Sequence, residues 1–368
     1  MKVLCERETL HEALTIATSV IPTKSTRPAV ENVYVRAQED TLELVGTDLD
    51  VAVRYRVENV KLEEPGTVLI PARVASDFVR DLSGETVRIG SKDQSFLIES
   101  EDERCELSTV DPDEFPGVAQ FGEEGAVSIL GATFTRLVSR TGFAAAREAG
   151  RYAMHGILTV IEDDELRMIA TDGRRLALAS HEIVNEGAPL NIGPAIIPTK
   201  AMQLFCRVID DPTEMVQIHF GDNLFGLRTS KAEVFARLID GDFPRYSAVI
   251  PQSTENLVEA DAATLGQKLK LVANVTSTDT RAVRVSLDTD HMKIFGRSAS
   301  TGEATAELGV RYSGDPVDLV FNPDYLIEGI KNCESDVVRL EFNQRNTPGK
   351  FTLGENYTYI VMPITVDT

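Results

Sequence analysis

The feature that most constrains this chain is that it repeats itself. LELVGTDLDVAV from Leu42, LRMIATDGRRLAL from Leu166 and MKIFGRSASTGEA from Met292 share one pattern: two large apolar residues alternating with a charged one, then Gly46, Ala170 or Gly296. Each predicts a half-buried strand ending at a small residue. A second column joins TVLIPARVASDFVRDL, PAIIPTKAMQLFCRVI and LVFNPDYLIEGIKNC, in which a short apolar strand runs into Pro71, Pro198 or Pro323. Apolar residues at matching positions beyond the proline (Val74, Ala75, Phe78; Ala201, Met202, Phe205; Leu326, Ile327, Ile330) predict the buried face of a helix. A third column aligns Phe115-Pro116 with Phe243-Pro244, and a helical segment opens each unit (RETLHEALTIATSV, GATFTRLVSRTGFA, DAATLGQKLKLVANV). The expectation is an α+β chain of three similar domains, 1–124, 125–252 and 253–368, each with two helices and many short strands.

Composition narrows the function. The chain is 42% hydrophobic and 26% charged, with no apolar run near the ~20 residues that cross a bilayer and no signal-peptide core at its start. These read as a cytoplasmic protein with no membrane partner. Cys5, Cys105, Cys206 and Cys333 lie far apart, the five histidines are scattered singly, and no nucleophile sits in a GxSxG-like setting. The expectation is no metal, no cofactor and no catalysis.

A formal net charge of −21 argues against nucleic-acid binding over the whole surface. The positive charge is nevertheless patterned. Arg80, Arg207 and Lys331 stand at nearly equivalent points of the three proline-led helices, and Lys24, Arg27, Arg136, Arg140, Arg147, Arg151, Lys268 and Lys270 follow or lie in the opening helices. Acidic runs such as EDDE fall at turns. A shared basic face on an acidic chain would attract a DNA backbone without reading bases.

The segment Thr171-Asp172-Gly173-Arg174-Arg175 admits two readings. Asp-Gly is hairpin chemistry, and Thr and Asp side chains bond to nearby main chain. Two arginines and a carboxylate at a strand end would also suit a ligand or partner.

Taken together, GTDLD (Gly46 to Asp50), IPAR (Ile70 to Arg73), ATDGRRLA (Ala170 to Ala177), DGDFPRY (Asp240 to Tyr246) and YIVMPI (Tyr359 to Ile364) resemble the bacterial replicative sliding clamp, the beta subunit of DNA polymerase III, along essentially the whole chain. The resemblance implies three clamp domains with strands outside and helices inside, and a head-to-tail homodimer ringing double-stranded DNA. It implies an apolar pocket at Met154, Thr171, Gly173, Arg174, Arg175, Leu176, Pro244, Val249, Ile360, Met362, Pro363 and Ile364, receiving short linear motifs of the replicative polymerase, the clamp loader and repair factors. It further implies DNA contacts at Lys24, Arg147, Arg151, Tyr152 and Lys200, besides Arg80, Arg207 and Lys331, and apolar dimer contacts at Leu107 and Val275. Arg245 stands where the family often has a carboxylate, and Cys105 where an aromatic residue is frequent.

Two other classes stay open at this point. Glu162, Asp163, Asp164 and Glu165 could suggest a metal-dependent hydrolase, although four consecutive acids in a turn are usually solvated. A repeat-built interaction scaffold would keep the fold and the pocket without encircling DNA.

Overall fold

A computed structural model describes residues 1–122, 125–148, 150, 152–183, 189–276 and 281–365. The first repeat runs β1 (Lys2–Glu6), α1 (Arg7–Thr18), β2 (Asn32–Gln38), β3 (Thr41–Thr47), β4 (Val51–Val57), β5 (Lys61–Glu64), β6 (Gly66–Pro71), α2 (Ala72–Asp81), β7 (Thr86–Lys92), β8 (Ser95–Ser100), β9 (Glu103–Ser108). The second is β10 (Val127–Leu130), α3 (Gly131–Thr141), β11 (Gly156–Glu162), β12 (Glu165–Thr171), β13 (Arg175–Glu182), β14 (Ile192–Pro198), α4 (Thr199–Arg207), β15 (Met215–Phe220), β16 (Leu224–Arg228), β17 (Ala232–Arg237). The third is β18 (Asn256–Asp261), α5 (Ala262–Ala273), β19 (Val283–Asp288), β20 (His291–Ser298), β21 (Gly302–Gly309), β22 (Val317–Phe321), α6 (Pro323–Lys331), β23 (Val337–Phe342), β24 (Gly349–Gly354), β25 (Tyr357–Val361). Apart from the extra β5, the order is the same each time. No helix among the described residues is long and apolar enough to cross a membrane.

The small-residue column has a steric cause. A Cβ added at Gly46 would lie 2.2 Å from the Ala17 carbonyl oxygen in α1, and one at Gly296 would lie 2.7 Å from Val272 Cγ1 in α5. The strand ends pass directly under the opening helices, which leaves no room for a side chain. Of the proline-led helices, α4 buries Ala201, Met202 and Phe205 as its spacing predicts. In α2 the buried stripe is Ala72, Ala75 and Val79, whereas Val74 is 53% exposed. That stripe is turned by about one residue, or ~100°, because α2 also carries apolar side chains at its first and eighth positions. In α6, Leu326 is buried and Ile327 and Ile330 only partly so.

The chain divides into two compact units, Met1–Ala132 with Gln203–Leu238, and Thr133–Met202 with Ile239–Thr368. Each unit contains one eight-stranded sheet that crosses from one repeat into the next. In the first unit the order is β10-β15-β16-β17-β4-β3-β2-β6, with a second sheet β5-β1-β7-β8-β9; in the second it is β14-β11-β12-β13-β25-β24-β23-β18, with a second sheet β21-β20-β19-β22. The cores are built alike. Leu10 and Leu14 of α1 and Val79 of α2 meet Val35, Leu44, Ile89 and Phe96 in the first, and Leu265 and Leu269 of α5 and Leu326 of α6 meet Val285, Met292, Leu340 and Phe351 in the second. Each fully buried side chain of this size contributes about 1.5–3 kcal/mol.

The two repeat junctions share a register. β17 pairs with β4 through Ala236↔Val51, Phe235↔Ala52, Val234↔Val53, Glu233↔Arg54 and Ala232↔Tyr55. β25 pairs with β13 through Val361↔Arg175, Ile360↔Leu176, Tyr359↔Ala177, Thr358↔Leu178 and Tyr357↔Ala179. In both, the last strand of one repeat joins the third strand after the opening helix of the preceding repeat. The remaining members of these two classes, β9 and β21, are edge strands of their sheets.

Candidate peptide-binding and nucleic-acid sites

The turn after β12 accounts for Thr171 and Asp172 locally. Thr171 Oγ1 donates to the Arg175 carbonyl at 2.6 Å and accepts the Gly173 N–H at 3.1 Å, while Asp172 Oδ1 accepts the N–H groups of Arg174 and Arg175 at 2.9 and 3.1 Å. Gly173 takes φ of +84°. The first repeat has the same turn: Thr47 Oγ1 donates to the Val51 carbonyl at 2.9 Å, Asp48 Oδ1 accepts from Asp50 and Val51, and Leu49 takes φ of +81° without being glycine. The Thr-Asp pair is therefore turn chemistry, repeated.

The two arginines have different fates. Arg174 is exposed. Arg175 is 7% exposed: its guanidinium donates to Asp172 Oδ2 at 3.1 Å, to Glu328 Oε2 and to the Phe143 carbonyl at 2.8 Å, and lies 4.5 Å above the Tyr325 ring. Its donors are occupied within the protein, so what it brings to a surface here is the fixed position of the hairpin. Sequence reading found Arg175 but not its partners Glu328 and Tyr325, which no local pattern links to it.

Beside this hairpin, Leu176 and Ile360 face each other across β13 and β25, 3% and 1% exposed, within an apolar cluster that includes Ala153, Leu158, Ile169 and Ile196. Phe243, Tyr246 and Ile250 pack on it partly buried, drawing in the segments that carry Met154, Pro244 and Val249. The tail is held in continuation of β25: the Met362 N–H donates to the Arg174 carbonyl at 2.9 Å and the Ile364 N–H to the Val320 carbonyl at 2.7 Å, with Pro363 between them. Val249 and Met362 remain 40% and 37% exposed at this surface. A buried apolar floor with exposed apolar side chains beside it, one of them an adaptable methionine, suits an extended peptide with large apolar anchors.

The candidate DNA residues are at the surface. Lys24, Arg147, Tyr152, Lys200, Arg207 and Lys331 are exposed, and among the described residues Lys24, Lys200, Arg207 and Lys331 form no ion pair. Arg80 pairs with Asp77 at 2.7 Å and Asp81 at 2.9 Å, side chains all more than half exposed. Arg151 lies outside the described residues. Arg140, expected among the basic surface residues, is instead 5% exposed, paired with Glu334 and set 5.2 Å over the Tyr357 ring. Leu107 is 9% exposed in edge strand β9, and the Val275 carbonyl accepts the Thr301 hydroxyl near the start of β21. The acidic turn is structural as well: Glu162 and Glu165 pair with Arg167, and Asp164 Oδ1 accepts the Leu190 N–H at 2.7 Å.

Models of the N-terminal, central and C-terminal domains of the DNA polymerase III beta subunit match residues 1–119, 128–245 and 247–365 in turn. The chain belongs to the DNA polymerase III beta subunit family. It is 30% identical over 362 residues to the beta sliding clamp of Pseudomonas putida, covering 98% of each chain, and 29% identical over 367 residues to that of Escherichia coli K12, covering 99% of this chain and 100% of the other. The crystal structure of the DNA polymerase III subunit beta from Pseudomonas aeruginosa superposes with a TM-score of 0.92 at 28% identity, each chain covered in full. The sliding clamp structure from Bacillus subtilis gives 0.95 at 23% identity, again over both whole chains, which bears on the fold. The fold is thus the three-domain clamp fold of the beta subunits, mixed helix and strand with strands dominant.

Proposed function

We propose that the chain is a DNA sliding clamp, a processivity factor without catalytic activity of its own, acting in the cytoplasm. Two copies close head to tail into a ring around duplex DNA. The ring tethers the replicative polymerase, and in turn the clamp loader and repair factors, through the surface formed by the β12–β13 turn, the Phe243-Pro244 segment and the tail at Met362. The single observation that carries this reading is the pair of edge strands β9 and β21, counterparts of strands already joined in one register at both internal junctions. A second copy pairing β9 with β21 removes both edges and extends the same joint to six domains. The domains are bounded near residues 124 and 252, where the polar stretches FGEEGA and PQSTEN lie. Lys24, Arg80, Arg147, Arg151, Tyr152, Lys200, Arg207 and Lys331 supply the contacts to duplex DNA.

The test is retention on DNA. Protein assembled on a nicked circular plasmid should stay bound through gel filtration at raised salt and be lost once the plasmid is linearised; equal release from both forms would sink the ring and favour a scaffold. A labelled peptide with a Gln-Leu-x-Leu-Phe core should bind the whole chain saturably, and a chain ending at Val361 should not bind it.

A further inference from the structure

The repeat relation exposes a second site at the first junction. Two cross-strand rows lie on one face of its sheet: Tyr34, Val45, Arg54, Glu233 and Arg228 in one, Arg36, Glu43 and Arg56 in the next. The same rows at the second junction read Leu158, Ile169, Leu178, Thr358 and Thr352, then Val160, Arg167 and Ser180. Leu178, Thr352, Val160 and Ser180 of the second junction stand where the first has Arg54, Arg228, Arg36 and Arg56, so the face with a single arginine at one junction carries four at the other.

The four-arginine face lies open in a groove of about 590 Å³, with the Phe115-Pro116 segment along it and Phe115 stacked on Tyr34 at 5.3 Å. Carboxylates are present but sit low. Glu233 and Glu43 side chains are 6% and 24% exposed, against 48% for Arg56. Glu233 is engaged by Arg54 at 2.6 Å and Arg228 at 3.2 Å, whereas Arg56 stands 3.6 Å from Glu233 and 3.9 Å from Glu43, beyond hydrogen-bond reach. Arg36 is exposed and donates to the neutral Gln38 Oε1. With Asp113 on the rim, four arginines meet three carboxylates in a chain whose formal charge is −21. What the groove presents to solvent is chiefly the guanidinium groups of Arg36 and Arg56, with the Asp113 carboxylate on the rim and the Tyr34 and Phe115 rings beside them.

We propose that this groove binds an acidic linear peptide segment of a partner protein. Aspartate or glutamate side chains reach Arg36 and Arg56, which stand on either side of Glu43 in one row, and a neighbouring apolar side chain lies against Tyr34 and Phe115. A guanidinium fork matches a carboxylate bidentately, and a groove of this volume holds a few residues of extended chain. The site shares its place in the repeat with the proposed peptide surface but inverts its chemistry, so one ring would hold an apolar motif and an acidic one at separate junctions.

The test uses the whole chain and a fluorescein-labelled peptide, Glu-Asp-Leu-Glu-Phe-Asp-Glu, read by anisotropy at low salt. Arg36→Glu with Arg56→Glu should weaken binding at least about tenfold while leaving the Gln-Leu-x-Leu-Phe peptide bound as before, which reports that the chain is still folded. Arg36→Lys with Arg56→Lys, which keeps charge but not the fork and is the gentler variant for folding, should fall in between. The control Arg311→Glu with Arg339→Glu makes the same charge change on side chains 87% and 60% exposed in the second unit, and should leave acidic-peptide binding intact. Equal weakening by both acidic variants would reduce the effect to net charge and overturn the proposal. So would no binding by the wild type up to about 1 mM peptide, or loss of a labelled oligonucleotide rather than of the peptide on Arg36/Arg56 reversal.

Discussion

Arg175 is held on four sides, and its removal leaves Glu328 and Asp172 facing each other's field with no cation between them. Arg175→Met should cost about 2–3 kcal/mol, seen as a lower urea midpoint, and Arg175→Lys should recover little because an ammonium cannot reach carbonyl and carboxylates at once. His181, on β13, has its pKa lowered from the ordinary 6.5, first by burial and then by Arg136, with Arg140 acting the same way and Glu182 opposing. Below about pH 6.5 the unfolded chain takes up a proton that the folded one refuses, so stability falls as pH drops through that window and is fully present above it. His181→Asn should flatten the fall in urea midpoint between pH 7.5 and 5.5; an unchanged slope would assign the dependence to other groups. Of these residues, Thr171 and Asp172 were legible in the sequence because their bonds run to main chain within four positions. Arg175 was legible as a site residue as well, but its burial was not, since its partner Glu328 is 153 residues away.

Among the elements, helix α1 and strand β3 meet so closely at Gly46 that the obstacle to a side chain is backbone, the Ala17 carbonyl, and cannot swing aside. Gly46→Ala should destabilise by about 2–3 kcal/mol, measured by thermal or urea unfolding, whereas Gly173→Ala meets nothing within 4 Å and costs only the strain of φ at +84°. Apolar spacing gave the helices their places but not always their rotation. In α4 a single phase fits the sequence, and it is the one adopted. In α2 two phases compete, and the packing partners rather than the pattern select Ala72, Ala75 and Val79. Which strands pair across a repeat boundary was hidden for a similar reason: β4 alternates over Val53 to Val57, β17 is buried along most of its length, and nothing local names either as the other's neighbour.

At the scale of the whole molecule, the common register predicts the contact between copies residue by residue. Carrying Val234↔Val53 and Tyr359↔Ala177 over to β9 and β21 sets Cys105 of one copy opposite Ala304 of the other, with Leu107 against Gly302. The Arg56 N–H to Lys231 carbonyl bond makes Lys231–Arg56 a hydrogen-bonded pair, so Val234–Val53 and its counterpart are non-hydrogen-bonded pairs with Cα atoms ~4.5 Å apart, within the disulfide range. Ala304→Cys should therefore give a covalent dimer on mild oxidation, fastest at alkaline pH because burial raises the Cys105 thiol. Cys105→Ser should abolish it, and Thr305→Cys, on the opposite face, should not replace it.

The internal junctions carry one more consequence. Strands β4 and β17 hold the first two repeats together by the kind of hydrogen-bonded ladder proposed to hold separate copies together. The peptide link between repeats is then no special joint. Its contribution is effective concentration: it keeps one pair of edges permanently within reach, while the third pair must find its partner from solution. A backbone cut between repeats would turn an intramolecular joint into one that depends on dilution, and the ring would differ from its fragments only in how many of its joints obey mass action.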